Sequence, residues 1–135
     1  MRFMMLMIPK GYEKAEPTAL PSAEMIGEMM KYNEALTKAG VLLALDGLHP
    51  PAKSNRLVFS GRKPKLIDGP FAEAKEAVGG YWMIQVKSKA EAIEWASRCP
   101  AQDGDVIELR QVQEMSDFPA DSVPEISPEL SKLAR

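Results

Sequence analysis

Apolar residues fall along the chain in short runs of two periods, and the period decides the element. Arg2-Phe3-Met4-Met5-Leu6-Met7-Ile8 is apolar after its first residue, has the length of a strand, and is ended by Pro9-Lys10-Gly11. A polar loop through Pro17 and Pro21 leads to Ser22, which fits a helix N-cap, with Glu24 placed where a carboxylate complements the helix dipole. Met25, Met29, Tyr32 and Leu36 then recur at helical spacing, which predicts a helix to Ala39 with these four as its buried stripe and Gly40 as its left-handed stop. Val41 to Leu45 reads as a strand; Arg56 to Ser60 and Lys65 to Ile67 flank Gly61-Arg62-Lys63-Pro64 and predict a hairpin. Gly80 to Val86 is the next strand. Ser88-Lys89-Ala90-Glu91 has the capping-box pattern that opens a helix, Pro100 ends it, and Val106 to Val112 is the last core strand. This is a ferredoxin-like split βαβ order with an added hairpin strand, hence an α+β domain whose antiparallel sheet carries two helices on one face.

The strands imply more than the fold. In the first, Phe3, Met5 and Met7 point one way and Met4, Leu6 and Ile8 the other, so both faces are apolar. In the fifth, Trp82, Ile84 and Val86 oppose Tyr81, Met83 and Gln85. Two helices cover only one face. A second copy packed through the remaining, inner face fits that pattern, and so does a monomer whose C-terminal tail lies over the sheet.

Composition narrows the picture. With 135 residues, 45% of them hydrophobic, the chain buries about two thirds of its unfolded surface as one domain. That domain is expected over residues 1–114. Residues 115–135 read as a Pro/acid-rich tail holding Pro119, Pro124 and Pro128, in which only Ser127-Pro128-Glu129-Leu130 suits a short helix. A net charge of −2 gives no basic footprint, which argues against a nucleic-acid partner. No stretch approaches a membrane span and no small-residue cleavage site follows the N-terminal run, so a cytoplasmic location is the expectation. Cys99, alone, forms no internal disulfide and reads as a packed apolar residue.

Candidate chemistry centres on Asp68-Gly69-Pro70-Phe71-Ala72-Glu73-Ala74-Lys75-Glu76, closed by Gly79-Gly80-Tyr81. Gly69-Pro70 fixes a bend that presents Asp68 and Phe71 from nearly one place. Two roles fit Asp68: a general acid or base whose pKa is raised beside an apolar wall, or a turn residue accepting backbone N–H bonds. His49, the only histidine, is held by Pro50 and Pro51 and titrates near neutrality unless perturbed, which makes it the natural companion of Asp68 at the mouth of a partly apolar pocket. Phe71, Glu73, Lys75, Tyr81 and Arg110 are the candidate ligand contacts. Tyr81, Gln85, Glu108 and Arg110 would project among Met83 and Val112 on the inner face, as anchors of a small-molecule site or as an ion pair at the sheet margin. One His and one Cys supply no zinc site, and no phosphate-binding loop or nucleophile elbow is present, so neither metal nor cofactor is expected.

The Asp68-to-Tyr81 run resembles the signature of the DGPF proteins of the YCII-related family. So do the Met-rich opening Arg2 to Ile8, Ala39-Gly40-Val41-Leu42, Asp46-Gly47-Leu48-His49-Pro50-Pro51, and Ala92-Ile93-Glu94-Trp95-Ala96 with Cys99-Pro100, in the same order and spacing. The resemblance implies a dimeric α/β barrel in which two sheets pack face to face. One branch of that superfamily pairs a histidine on the first helix with an aspartate; here Ser22 to Ala39 contains none, with Tyr32 and Asn33 at its middle, so that dyad is not carried over. Two functional classes follow. One is a small-molecule-binding dimer with an acid/base pocket, of isomerase, lyase or cofactor-free oxygenase type, acting on a small apolar or aromatic ligand. The other is a noncatalytic regulatory or interaction module, since DGPF proteins resemble products encoded beside bacterial extracytoplasmic-function sigma factors.

Overall fold

The computed structural model describes residues 1–122. Its main sheet contains β1 (Arg2–Ile8), β2 (Leu42–Gly47), β5 (Gly80–Gln85) and β6 (Val106–Gln111), in the antiparallel order β2-β5-β1-β6. Helix α1 (Ala23–Lys38) joins β1 to β2, and α2 (Lys89–Ser97) joins β5 to β6, so the two βαβ halves interleave as a ferredoxin-like α+β fold. Both helices lie on one face. Tyr32 and Leu36 of α1 and Ala92 of α2 close on Phe3, Met5, Met7, Trp82, Ile84 and Val86, the alternate residues of the two central strands. Tyr32 meets Trp82 edge-on, with ring centroids 5.6 Å apart, and donates its hydroxyl to the Trp95 carbonyl at 2.6 Å, tying α1 to α2.

The helix ends follow local chemistry. Ser22 Oγ accepts from the Met25 N–H at 3.2 Å, and Gly40 takes φ 73° where the chain turns out of α1. Ser88 caps α2 through the Glu91 N–H, while the Glu91 carboxylate accepts from the Lys87 N–H, one residue upstream of the partner in a standard capping box. The expected buried stripe of α1 is only half realised. Tyr32 and Leu36 are buried, whereas Met29 and Met25, one and two turns nearer the N-terminus, remain half-buried because the sheet there gives way to a cavity.

Two backbone features depart from simple alternation. The register of β2 on β5 slips between Leu42 and Ala44, so Leu43 bulges outward at 49% exposure and both Leu42 and Leu45 reach the core. The predicted hairpin forms a sheet of its own, β3 (Asn55–Ser60) with β4 (Lys63–Asp68), rather than adding a strand to the main one. Its turn is shorter than expected. Gly61 and Arg62 have φ values of 56° and 71°, the backbone of a two-residue turn matched to strand twist, and Pro64 lies inside β4 opposite Phe59.

On the face away from the helices, strand pairing aligns Met4 with Met83 and Arg110, and Leu6 with Tyr81 and Glu108. Tyr81, Met83, Gln85, Glu108 and Arg110 therefore share this face, as the alternation predicts. After β6, the Val112 N–H donates to the Arg2 carbonyl, and the Arg2 guanidinium grips the Glu114 carboxylate at 2.7 and 3.0 Å. Short 3-10 turns follow at Met115–Asp117 and Ala120–Ser122; the helix expected at Ser127-Leu130 lies outside the described residues. No helix among the described residues is long and apolar enough to cross a membrane.

Candidate functional site

The long connection from β2 to β5 builds the site, and three close approaches hold it. At its base the Leu48 N–H donates to the Gly79 carbonyl, and the Gly79 N–H to that of Met7. Gly80 backs onto β2, where a Cβ would fall 2.9 Å from the Asp46 carbonyl oxygen. At Gly69 a Cβ would fall 1.8 Å from the Pro51 carbonyl oxygen; the Gly69 N–H donates to Ser54, and the Gly69–Pro70 bond is cis. Pro50 and Pro51 are thereby buried, and they pin the exposed His49 just ahead of them.

Two cavities meet at Leu48 and His49, which line both. The smaller, about 460 Å³, lies against the hairpin base between Pro51, Ser54, Arg56, Phe71, Glu76 and Val78. Arg56 stacks on Phe71 with its guanidinium carbon 3.9 Å from the ring centroid, fixing one wall. The larger, about 590 Å³, opens between the N-terminal half of α1 and the end of the sheet, with walls including Met7, Leu20, Met25, Met29, Leu45 and Trp82. This is the size and lining of a small-molecule site.

Most polar groups of the larger cavity already have partners. Trp82 Nε1 donates to Asn33 Oδ1 at 2.7 Å, Tyr81 donates its hydroxyl to Asp46 at 2.7 Å, and Tyr12 donates to the Leu48 carbonyl at 2.5 Å. The hydrogen bond to Asp46 is the main cause holding the Tyr81 phenol above its ordinary pKa, while burial does so at Tyr12. Asp105 accepts from the Lys10 and Gln102 N–H groups. Among the described residues, the Asn33 Nδ2 amide and the His49 imidazole remain without a hydrogen-bond partner. One donor and one titratable ring thus face a mostly apolar space.

The model of the YCII-related domain matches residues 1–116. The chain belongs to the YCII-related family. No curated protein matches it at a significant level. In this family member the middle of the first helix contributes Tyr32 to the core and Asn33 to the cavity.

The structure divides the residues expected to act together. His49 and Phe71 line the smaller cavity, and His49 and Tyr81 the larger. Asp68 lines neither; it is exposed at the end of β4 and accepts from Asn55 Nδ2 across the hairpin at 2.5 Å. That bond comes from a side chain, so the geometry shows neither a general acid or base in a pocket nor a turn residue accepting backbone N–H groups. Glu73 and Lys75 are exposed and line neither cavity, and Arg110 lies on the open sheet face, 3.8 Å from Glu108. Burial pushes the half-buried Cys99 thiol up to about 11, so it stays protonated and inert at neutral pH. Among the described residues no cluster of His, Cys, Asp and Glu could hold a metal ion.

Tyr12, Asn33, Asp46 and Trp82 were not legible as site residues. Met25 and Met29 stood out as apolar helix positions, but periodicity does not separate a residue facing a cavity from one facing a filled core.

Proposed function

We propose that this YCII-related protein is a homodimer that binds a small apolar or aromatic molecule in the cavity between α1 and the sheet, with His49 as proton donor or acceptor at its rim. The observation that carries the reading is that cavity: about 590 Å³, with methionine, leucine and tryptophan walls, one open amide donor at Asn33 and one unpaired imidazole. Polarizable methionines and a flat indole favour an aromatic or other flat ligand over a highly hydrated one. An isomerase, lyase or cofactor-free oxygenase reaction would need little more from the protein than proton transfer in a water-poor space. The face bearing Met4, Leu6 and Met83, left open by both helices, supports the dimer. A noncatalytic binding module is the second reading, favoured by the mutual pairing of Asp46 with Tyr81 and Asn33 with Trp82, which leaves few groups free for chemistry.

A screen of small aromatic and apolar compounds, followed by the fluorescence of Trp82 and by ligand-observed NMR, tests the reading. Binding is expected in the wild type and is expected to vanish in Met29→Trp, which fills the cavity. His49→Ala should keep binding and lower turnover by about 100-fold or more if the ring carries the proton. Unchanged turnover would leave the noncatalytic reading. Binding indifferent to Met29→Trp would overturn the site.

A further inference from the structure

We propose that the smaller cavity is a second binding site, distinct from the one between α1 and the sheet, and that it takes a free amino acid with an apolar side chain. At about 460 Å³ the cavity falls within the range of small-molecule sites. One cation and one anion line it, Arg56 and Glu76, both exposed at its edge. Among the described residues neither belongs to an ion pair, with each other or with any other side chain, whereas Arg2, Arg98 and Arg110 each face a carboxylate. Opposite charges that share a cavity without meeting leave room for a ligand that carries both.

The frame holds these charges in place. Arg56 lies on Phe71 with its guanidinium carbon 3.9 Å from the ring centroid. Stacking occupies the flat face of the guanidinium and leaves its N–H edge, the fork that matches a carboxylate with two parallel bonds. The segment that carries Phe71 and Glu76 is tied at both ends, by the Gly69 N–H on the Ser54 carbonyl and the Gly79 N–H on that of Met7, and the Ala74 N–H closes a turn on the Phe71 carbonyl between them. Little ordering is then left for a ligand to impose. The remaining wall is apolar, with Pro51 buried and Ala77 and Val78 half-buried. A carboxylate on Arg56, an ammonium on Glu76 and an apolar side chain against Pro51, Ala77 and Val78 use all three parts. Each simpler ligand leaves one unmet: a carboxylate or phosphate alone meets the like charge of Glu76, an amine alone meets that of Arg56, and an apolar molecule takes water from both charges without replacing it. His49 lines both cavities, so an occupant of this one reaches the imidazole at the rim of the other.

The test is an NMR titration of the full chain with leucine, with isocaproate, which is leucine without its ammonium, and with isopentylamine, which is leucine without its carboxylate. Saturable binding of leucine is expected, with shifts at His49 and Phe71, and both analogues should bind about 10-fold more weakly or worse. Arg56→Gln and Glu76→Gln should each weaken leucine by about 10-fold, and Glu76→Gln should also erase the preference for leucine over isocaproate. Circular dichroism checks the fold of each variant; if Arg56→Gln disturbs the wall it builds with Phe71, Glu76→Gln in the exposed loop still decides. Met29→Trp, which fills the larger cavity, should leave leucine binding unchanged, so this site stands or falls apart from the other. No saturable binding of leucine at millimolar concentration would overturn the proposal. Isocaproate binding as tightly as leucine to the wild type would reduce the cavity to a carboxylate site and overturn it, and leucine binding lost in Met29→Trp would place the amino acid in the larger cavity and overturn it as well.

Discussion

Gly69 and Asp68 are adjacent in sequence and differ in what fixes them. The glycine is dictated by contact, since any side chain would strike the Pro51 carbonyl; the aspartate is exposed and holds Asn55. Asp68→Asn keeps an acceptor oxygen at the same place, so it is expected to cost about 1 kcal/mol or less, a fall of a few degrees in melting temperature, with ligand affinity intact. If the melting temperature held while turnover fell about 100-fold, Asp68 would be the proton carrier after all. The residues gave a partial view here. The Gly69-Pro70 bend and the prolines beside His49 could be read from backbone chemistry, but whether a side chain faces a cavity depends on packing between segments far apart in sequence, as with Asn33 and Trp82.

Elements were legible wherever the signal was local. Ser22 and Ser88 cap the helices they preceded in the pattern, and strand alternation placed Tyr81, Met83 and Arg110 on one face. The bulge at Leu43 was not legible, because it answers the need of β5 to receive both Leu42 and Leu45. Nor was the tie between β1 and the segment after β6. The bidentate bond to Arg2 is the first cause holding the Glu114 carboxyl below its ordinary value of 4.5, aided by the charges of Arg2 and of the N-terminal ammonium and opposed by desolvation. Because the folded-state value is the lower one, this tie contributes its full stability above pH 4.5 and loses it as pH falls through the depressed folded value. Glu114→Gln should therefore flatten the acid limb of stability against pH and change little at neutrality. The check is melting temperature from pH 7 to 3, with an acid limb identical to wild type counting against the tie.

At the scale of the whole molecule, the α-helices and strands of the described residues end with β6 at Gln111. Among the described residues, both α-helices, all six strands and the clamp of Glu114 on Arg2 lie within the first 114. Within the described residues one sheet face and one hairpin stay uncovered, and the proposed second copy and a cover by the chain's own C-terminal segment predict different behaviour. Truncation after Ser122 separates the two coverings. If a second copy covers the sheet, the shortened protein should unfold cooperatively within about 2 °C of wild type, as expected for changes of about 0.5 kcal/mol at a surface, and should sediment as a dimer. If the C-terminal segment is the cover, truncation exposes an apolar face, and the shortened chain should aggregate or melt well below the full-length protein. Melting and sedimentation measured on the same two samples decide between these outcomes, and the second one would sink the two-fold assembly.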